Sequence, residues 1–452
     1  MNTQDLLVTP VVLFLVYLLA YATRPYFTDA VTRRYFLPGL TVKIVGAIAV
    51  GFIYQFYYGG GRPSGDTFNY FANAAVIHEA FGDSFRTGIK LLLAEGNYTP
   101  EIFPYATRIY WFRSPTEYFV IRVIAVLGLF TFHTYSAIAV LFALLSFSGV
   151  WALFRTFYKF FPAIHAKLAV AVLFVPSVVF WGSGILKDSI TLGALGWATW
   201  AIARLFLERK GTFVAAVILL LALYTIYAVK IYIVLCFLPA ALLWVFLANI
   251  QRVRSVVVRS LITPLMLVTV VALSYFAVVE IGEDNSRYAV DKLSKTAEIT
   301  ARYLTYVGEK QGGSVYTLGD DFDFSLTGML RKFPLAVNVT LFRPYLWEAY
   351  NPVMLLSALE SLMTLLLTVY ILFRVGVGKA LRYVVSRPII LFCLLFAIAF
   401  SFSVGISTYN FGSLVRYKIP MFPFYLSGLF ILQYFAQYRA RPLTQNARPA
   451  NA

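Results

Sequence analysis

Long runs of apolar residues recur along most of the chain, separated by short segments that carry polar and basic residues. An apolar run of about 20 residues can cross the hydrocarbon core of a bilayer as a helix. The pattern therefore predicts an all-α polytopic membrane protein with about eleven transmembrane helices, within a range of ten to thirteen. The predicted spans are 6–22, 36–58, 134–154, 168–183, 189–206, 213–227, 231–248, 261–279, 353–373, 388–405 and 420–437.

Two segments have apolar positions that suit a helix but do not fit this series. Residues 118–132 are apolar but short and include Arg122, and residues 68–94 alternate apolar with polar positions. Both patterns favour amphipathic helices at the outer membrane surface. They belong to the first of two large outer loops, 59–133 and 280–352. Such loops favour a catalytic chamber that faces outwards over a simple carrier.

Basic residues are distributed unevenly. Six short connectors hold 19 of the 38 Lys and Arg residues and only two acids, whereas the rest of the chain holds 19 basic and 19 acidic residues. Because Lys and Arg collect on the cytoplasmic side of membrane proteins, the net charge of +17 indicates topology and not a nucleic-acid partner. The connectors contain Arg24, Arg33 and Arg34; Arg155, Lys159 and Lys167; Arg204, Arg209 and Lys210; Arg252, Arg254 and Arg259; Arg374, Lys379, Arg382 and Arg387; and Arg439, Arg441 and Arg448.

With these connectors in the cytoplasm, the N-terminus lies outside and the C-terminus inside. The pattern predicts one transmembrane domain, 1–438, followed by a polar cytoplasmic tail, 439–452, that we expect to be disordered. Cys236 and Cys393 both lie in apolar runs, which excludes a disulfide framework or a thiolate metal site. No nucleotide-binding loop and no serine-hydrolase motif occurs in the chain.

Asp66 follows the second predicted span directly, in the stretch "RPSGDTFNYF". A carboxylate at this depth is partly desolvated, which suits a general base. Asn69 and Tyr70, three and four residues later, would share its helix face and contact substrate. The alternative is that Asp66 or Thr67 only caps the following helix.

Lys187 and Asp188 occupy a tight outer turn between two predicted spans. Ionisable groups so close to hydrocarbon are candidates for function. Lys187 would contact a phosphate, and Asp188 would be its partner or a second catalytic acid. The alternative is an interfacial anchor in which Lys187 extends to the membrane surface.

The second large loop returns to the membrane through "LFRPYLWEAYNP", residues 341–352. Arg343 suits phosphate or pyrophosphate recognition, Trp347 could stack on a sugar ring, and Glu348 could accept hydrogen bonds from its hydroxyls. Trp and Tyr are also common at this depth as belt residues. Glu360, two turns into the next predicted span, requires a buried partner.

Arg416 and Lys418 stand at the outer entrance of the last span, in a loop without acids. Two cations on the outer side depart from the positive-inside pattern, so an anionic partner is expected. A lipid-linked phosphate is the natural candidate, and plain contact with lipid headgroups is the alternative.

A divalent cation such as Mg²⁺ or Mn²⁺ has one candidate site in the sequence. Asp320, Asp321 and Asp323 supply oxygen ligands in a loop, but a solvated acidic turn explains them more simply. The histidines at 78, 133 and 165 lack metal-ligand spacing. The sequence therefore predicts no definite cofactor.

The chain resembles the GT-C superfamily of polytopic membrane glycosyltransferases and the polysaccharide polymerases that share its architecture. The resemblance lies in Asp66 within "SGDTFNY", in the surface helices of the first large outer loop, and in "PSVVFWGSGILKDS" and "VRYKIPMFPF". One feature departs from the family: the candidate catalytic loop follows the second span instead of the first. This implies an additional N-terminal helix or a different relationship.

The resemblance implies transfer of a sugar from a polyprenyl phosphate or diphosphate to an acceptor hydroxyl, usually with inversion, in cell-surface glycan assembly at the cytoplasmic (inner) membrane. Asp66 would take the acceptor proton, and Arg416, Arg343 and Lys187 would hold the lipid phosphate. The acceptor would be a glycan, a lipid or a protein.

Two alternatives remain open. A repeat-unit polymerase or ligase would use a lipid-linked oligosaccharide and rely on arginines more than on one acid. A flippase or transporter for a lipid-linked sugar would not be an enzyme. It should show inverted repeats or helices broken within the membrane.

Overall fold

The structure, a computed structural model, describes residues 3–250, 255, 264, 268, 293–310, 315, 316, 318, 319 and 325–440. In these ranges the secondary structure is helical apart from one isolated antiparallel bridge, between Val315 and Asn410. The helices are α1 (Thr3–Phe27), α2 (Arg33–Phe52), α3 (Gly65–Asp83), α4 (Phe85–Leu93), α5 (Phe103–Ala106), α6 (Pro115–Thr131), α7 (Tyr135–Phe160), α8 (His165–Leu173), α9 (Pro176–Trp181), α10 (Lys187–Ile202), α11 (Thr212–Ile250), α12 (Leu293–Lys310), α13 (Leu326–Arg331), α14 (Phe333–Phe342), α15 (Pro352–Val375), α16 (Val377–Ser386), α17 (Pro388–Ser407), α18 (Phe411–Tyr417) and α19 (Phe422–Ala440).

Seven helical segments in the described ranges are long and apolar enough to cross a membrane. An eighth candidate is the pair α18 and α19, which is bent by 63° at its break. The prediction of an all-α, multi-pass membrane protein is therefore confirmed. The seven segments are Thr3–Phe27, Arg33–Tyr58, Tyr135–Phe160, Lys187–Glu208, Phe213–Ile250, Pro352–Val375 and Pro388–Ser407.

Three differences separate these eight candidates from the eleven spans of the sequence prediction. The predicted span 168–183 is divided into α8 and α9, because Pro176 begins a new helix and disfavours helical backbone in the residue before it. The predicted spans 213–227 and 231–248 both lie in α11, where the backbone of Lys230 is not helical (φ −147°, ψ 77°). The predicted span 261–279 lies largely outside the described residues, as does the tail beyond residue 440.

The segment predicted as the first large outer loop, residues 59–133, contains the helices that its sequence predicts. α3 and α4 occupy most of residues 68–94, and α6 covers 118–131. Ser84 caps α4 by accepting a hydrogen bond from the backbone N–H of Thr87. Pro115 begins α6, at a position where the missing N–H costs nothing. The helices are confirmed, whereas their orientation at the membrane surface stays a prediction.

The core of the bundle depends on close contact between α7 and α10. A Cβ atom on Gly149 would lie 1.8 Å from the backbone oxygen of Gly193, so only glycine allows the two helices to approach this far. Small residues at such crossings are typical of membrane helices, whose packing is driven by van der Waals contact. The contact fixes α10, and α10 begins with Lys187 and Asp188.

The N-terminal helix α1 is anchored to the start of α7. The carboxylate of Asp5 accepts hydrogen bonds from the backbone N–H of Ser136, at 3.1 Å, and from its hydroxyl, at 2.7 Å. A second helix thus supplies an acceptor for the free N–H groups at the start of α7. α1 precedes α2, the candidate span that leads to Asp66.

Candidate functional site

A tight bend after α2 positions Asp66. The helix continues as a π-helical turn, Ile53–Tyr58, and the chain then reverses through a glycine-rich segment into α3. Gly65 has φ +71°, and a Cβ atom there would lie 2.4 Å from the Tyr54 ring. Both the backbone angle and the close ring require glycine at this position. Asp66 is therefore held in the first turn of α3, beside Tyr54.

The side chain of Asp66 forms an ion pair that the sequence did not predict. Its Oδ2 atom accepts a hydrogen bond from Nη1 of Arg416 at 2.6 Å, across 350 residues of sequence. Ser64, not Asp66, occupies the N-cap position of α3, and the hydroxyl of Thr67 pairs with that of Tyr135 at 2.7 Å. Asp66 thus joins the outer loop to the last span and does not serve as the helix cap.

Arg416 connects Asp66 to a second, fully buried carboxylate. Its Nε atom donates to Oδ2 of Asp188 at 2.6 Å. The other oxygen of Asp188 accepts from the ammonium group of Lys230. These four residues form a chain of alternating charges, here called the Arg416 cluster. Its members come from α3, α18, α10 and the break in α11.

The members of the Arg416 cluster differ in their exposure. The side chain of Asp188 is 0% exposed, that of Lys230 6% and that of Arg416 11%, whereas that of Asp66 is 44% exposed. Buried charges are stable only when they are paired and hydrogen-bonded. The cluster meets this requirement at its inner end, and within the cluster only Asp66 presents a partly accessible carboxylate.

Lys230 was not predicted as a site residue, although a signal was present. It interrupts a long apolar run, and a lysine in such a run is a candidate for function. Its non-helical backbone lets the side chain reach Asp188, and its ammonium group lies 4.8 Å from the centre of the Tyr417 ring. The break in α11 therefore completes the cluster.

Lys187, the neighbour of Asp188, points to a different acid. Its ammonium group pairs with Glu117 in the first turn of α6 and donates to the hydroxyl of Thr116 at 2.9 Å. Burial alone would raise the pKa of Glu117, but the charge of Lys187 and hydrogen bonds from Lys187, Ser114 and Thr116 lower it to about 2. Glu117 is therefore ionised at neutral pH, and Lys187 ties the outer loop to α10.

In the second large loop, the residue predicted to bind phosphate, Arg343, pairs with the residue predicted to bind sugar hydroxyls, Glu348. The guanidinium of Arg343 donates hydrogen bonds to both carboxylate oxygens of Glu348. The ring of Trp347 stacks on that of Tyr345 with centroids 4.9 Å apart, and Trp347 is 77% exposed. An exposed aromatic ring beside a carboxylate is compatible with sugar binding, and also with a position in the aromatic belt of a membrane protein.

Lys418 contacts the segment that contains the Arg343–Glu348 pair and lies two residues after Arg416 in the sequence. Its buried ammonium group donates to the backbone oxygen of Arg343 and to the hydroxyl of Ser361, both at 3.0 Å. Lys418 therefore fastens the returning outer loop to α15, two residues after Arg416.

Two further ionisable residues of candidate spans hold the short helix α9 at both ends. Glu360 accepts a hydrogen bond from the backbone N–H of Ser177, at 2.8 Å, in the first turn of α9. At the other end, Lys43 donates to the backbone oxygens of Val178, at 3.0 Å, and Gly182, at 2.8 Å. An acid at the N-terminus and a base at the C-terminus match the helix dipole. Glu360 thus has the buried partner that the sequence required, and Lys43 was missed although it lies within a predicted span.

Asn69 and Tyr70 have different environments. Tyr70 is buried one turn after Asp66, with its ring 4.9 Å from that of Trp111. Burial, followed by the nearby charge of Asp66, raises the pKa of Tyr70 far above its usual value. Tyr70 is therefore a neutral hydroxyl, whereas Asn69 is exposed on the surface of α3.

The candidate cation ligands receive no support from the described part of the chain. Residues 320–324, with Asp320, Asp321 and Asp323, lie outside it. Among the residues that the structure describes, no group of three or more His, Cys, Asp or Glu side chains is arranged to hold a metal ion.

The chain was also compared with known proteins. No protein-family model, no curated protein and no solved structure matches it. The geometry therefore establishes a polytopic, all-helical membrane protein in which an accessible carboxylate is joined to a buried cluster of charges.

Proposed function

We propose that this protein is a membrane glycosyltransferase of the GT-C type, which transfers a sugar from a polyprenyl phosphate or diphosphate to an acceptor hydroxyl on the outer face of the membrane. One observation carries the proposal. Asp66 is exposed on one side, while Arg416 fixes its other side and is itself held by the buried Asp188. A general base needs this combination of access and fixed direction.

The proposed reaction uses the geometry of Asp66. Arg416 contacts Oδ2, and Oδ1 can then accept the proton of the acceptor hydroxyl. The acceptor oxygen attacks the anomeric carbon from the face opposite the lipid phosphate, which inverts the configuration. The bond between that carbon and the phosphate oxygen breaks, and the phosphate leaves with the electron pair.

Stabilisation of the leaving phosphate is assigned to the cations near the site. Arg343 and Lys187 are both paired with carboxylates on outer segments, Glu348 and Glu117. An entering phosphate would exchange with these carboxylates, so the outer segments would move when the donor binds. The exposed Trp347, beside Arg343, is assigned to contact with the sugar ring.

The role of Arg416 differs from that of a free phosphate ligand. Two of its nitrogens are engaged by Asp188 and Asp66, and its guanidinium also interacts with the side chain of Tyr54. Arg416 is therefore proposed to orient Asp66, and a donor phosphate would share its guanidinium with these partners.

For the membrane arrangement we retain eleven spans with the N-terminus outside, in a cytoplasmic membrane. α11 supports this count, because a straight helix over Phe213–Ile250 would be about 57 Å long, almost twice the thickness of the hydrocarbon core. Its break at Lys230 meets Asp188 at the start of α10. Two spans that meet at this break would place the Arg416 cluster at one membrane surface.

A second candidate function is transport of a lipid-linked sugar. Three helix breaks favour it: the one between α8 and α9, the one at Lys230, and the 63° bend between α18 and α19. Broken helices around ionisable groups are typical of transporters. A repeat-unit polymerase, the third reading, would depend on Arg416 and Arg343 more than on Asp66.

The decisive experiment supplies purified protein in lipid vesicles with polyprenyl-phosphate and polyprenyl-diphosphate sugars, with Mg²⁺, with Mn²⁺ and with a chelator. Release of the lipid phosphate reports transfer, and accessibility of labelled lipid in the opposite leaflet reports transport. We expect transfer by the wild type and a loss of about a hundredfold or more in Asp66→Asn.

Asp83→Asn is the matched control, because Asp83 is also an acid of α3 but pairs with Tyr105 at the far end of the helix. It should keep the wild-type rate. If Asp66→Asn stays active while Arg416→Ala or Arg343→Ala does not, the polymerase reading is favoured. If lipid crosses the bilayer and no donor is consumed, the protein is a transporter.

A further inference from the structure

The short helix α16 lies between two candidate spans. α15 ends at Val375, and α17 begins at Pro388. A helix of 10 residues is about 15 Å long and cannot cross a hydrocarbon core of about 30 Å. Since both of its ends lead into spans, α16 stays on one side of the membrane, at the end of α15 opposite to Glu348 and the second outer loop.

The surface of α16 has three distinct sides. Ala380 is buried and faces the bundle together with the partly buried Tyr383 and Val384. A second side is a line of exposed apolar residues spaced four apart, Val377, Leu381 and Val385, which are 62%, 62% and 75% exposed. Residues four apart in a helix lie on one face. Large apolar side chains in such a line require a cover.

The third side is cationic. Lys379 and Arg382, three residues apart, are both exposed. Arg374 precedes the helix and Arg387 follows it, with the guanidinium of Arg387 4.3 Å from the centre of the Phe435 ring. The sequence contains no Asp or Glu after Glu360. The positive charge beside α16 is therefore not neutralised by any acid from the last fifth of the chain.

We propose that α16 is a binding surface for anionic lipid headgroups, with the apolar line buried at the boundary of the acyl chains and the cations on the phosphates. An apolar line next to a cationic line is the arrangement by which interfacial helices bind anionic membranes. A free phosphate or another soluble anion would leave Val377, Leu381 and Val385 in water, so the source of the phosphate is a lipid. This inference does not depend on the proposed enzyme activity.

The test uses the full-length protein in detergent micelles that contain either phosphatidylglycerol or phosphatidylcholine, and counts retained lipids by native mass spectrometry. We expect the wild type to prefer phosphatidylglycerol. Each cation in direct contact with a lipid headgroup contributes about fivefold to the affinity for anionic lipid. Lys379→Gln/Arg382→Gln should therefore lose about 30-fold at low salt, and Leu381→Ser should weaken the binding of both lipids.

Arg209→Gln/Lys210→Gln is the matched control, because these two residues are also exposed and cationic and were assigned to the same side. It should retain the preference of the wild type. The proposal fails if the wild type binds both lipids equally, or if the control loses as much as Lys379→Gln/Arg382→Gln. It also fails if polyglutamate or inorganic phosphate displaces the lipid, which would indicate a soluble anionic partner.

Discussion

Asp66 and Asp188 share one guanidinium but lie in opposite surroundings. Both bind Arg416 at 2.6 Å, yet Asp66 is 44% exposed and Asp188 is fully buried with a second cation, Lys230. Coulomb attraction between nearby charges is several times stronger inside a protein than in water, and so is the cost of leaving a charge unpaired. The two ion pairs of Arg416 thus have different roles. The buried pair with Asp188 holds helices together, and the pair with Asp66 presents a carboxylate to solvent.

The comparison explains why both acids are needed. Without Asp188, the guanidinium of Arg416 would lose its buried partner, and Arg416 and Asp66 could then adopt several orientations. With Asp188 in place, Arg416 is fixed and Asp66 is oriented by it. The buried end therefore provides the rigidity that the proposed base requires.

The largest effect is expected for Asp188→Asn, which leaves Lys230 and Arg416 without their shared anion. Removal of one partner from a buried ion pair costs about 3–5 kcal/mol. Thermal unfolding in detergent should show a correspondingly large loss of stability. The double variant Asp188→Asn/Lys230→Met removes the stranded ammonium group and should recover part of that loss. Equal stability of the single and double variants would contradict the assigned pairing.

A second prediction concerns His133, whose half-buried ring lies 5.4 Å from that of His78. Burial, and then the nearby His78, lower its pKa to about 4 from an ordinary value of 6.5. The unfolded chain therefore binds more protons between pH 6.5 and 4, and stability should fall as the pH drops through this range. The free energy of unfolding should decrease by up to about 2 kcal/mol between pH 7 and pH 5.

Unfolding midpoints at several pH values would measure the contribution of His133. His133→Asn is the suitable variant, because the backbone there has φ +51° and asparagine tolerates positive φ. The variant should have a flatter pH profile than the wild type. An unchanged slope would show that other groups control the pH dependence.

A smaller effect is expected at the N-terminus of α9. Glu360→Ala removes the acceptor of the Ser177 N–H and should cost about 1 kcal/mol, as loss of a helix cap does. Glu360→Gln keeps an acceptor oxygen and should cost less. Thermal unfolding of the two variants would test this order, and equal losses would mean that the charge of Glu360, not its hydrogen bond, matters.

The smallest effect belongs to an exposed pair in the first outer loop. Arg108 donates to both oxygens of Glu79, at 2.8 and 2.7 Å, and both side chains are about half exposed. Such pairs contribute little, so Glu79→Gln should change the unfolding midpoint by no more than about 1 °C. A large change would contradict the view that burial, not pairing geometry, separates Asp188 from surface acids.

The sequence predicted much of this arrangement, but not how its parts meet. Asp66, Asp188 and Arg416 stood out individually, because each is an ionisable residue next to an apolar run. Their contacts could not be predicted, since they join residues 228 and 350 positions apart. The apolar runs predicted most spans, whereas the breaks at Val175 and Lys230 depend on one proline and on a tertiary ion pair. Glu117 carried no local signal, because its role depends on where α6 packs.

We propose that Asp66 acts in the chemistry while Asp188 holds the fold. The most direct test is to measure the unfolding midpoint and the rate of sugar transfer for Asp66→Asn and Asp188→Asn side by side. We expect Asp66→Asn to stay folded, with a midpoint closer to that of the wild type than to that of Asp188→Asn, and to lose about a hundredfold in rate. If Asp66→Asn transfers sugar at the wild-type rate, or unfolds as readily as Asp188→Asn, the claim is wrong.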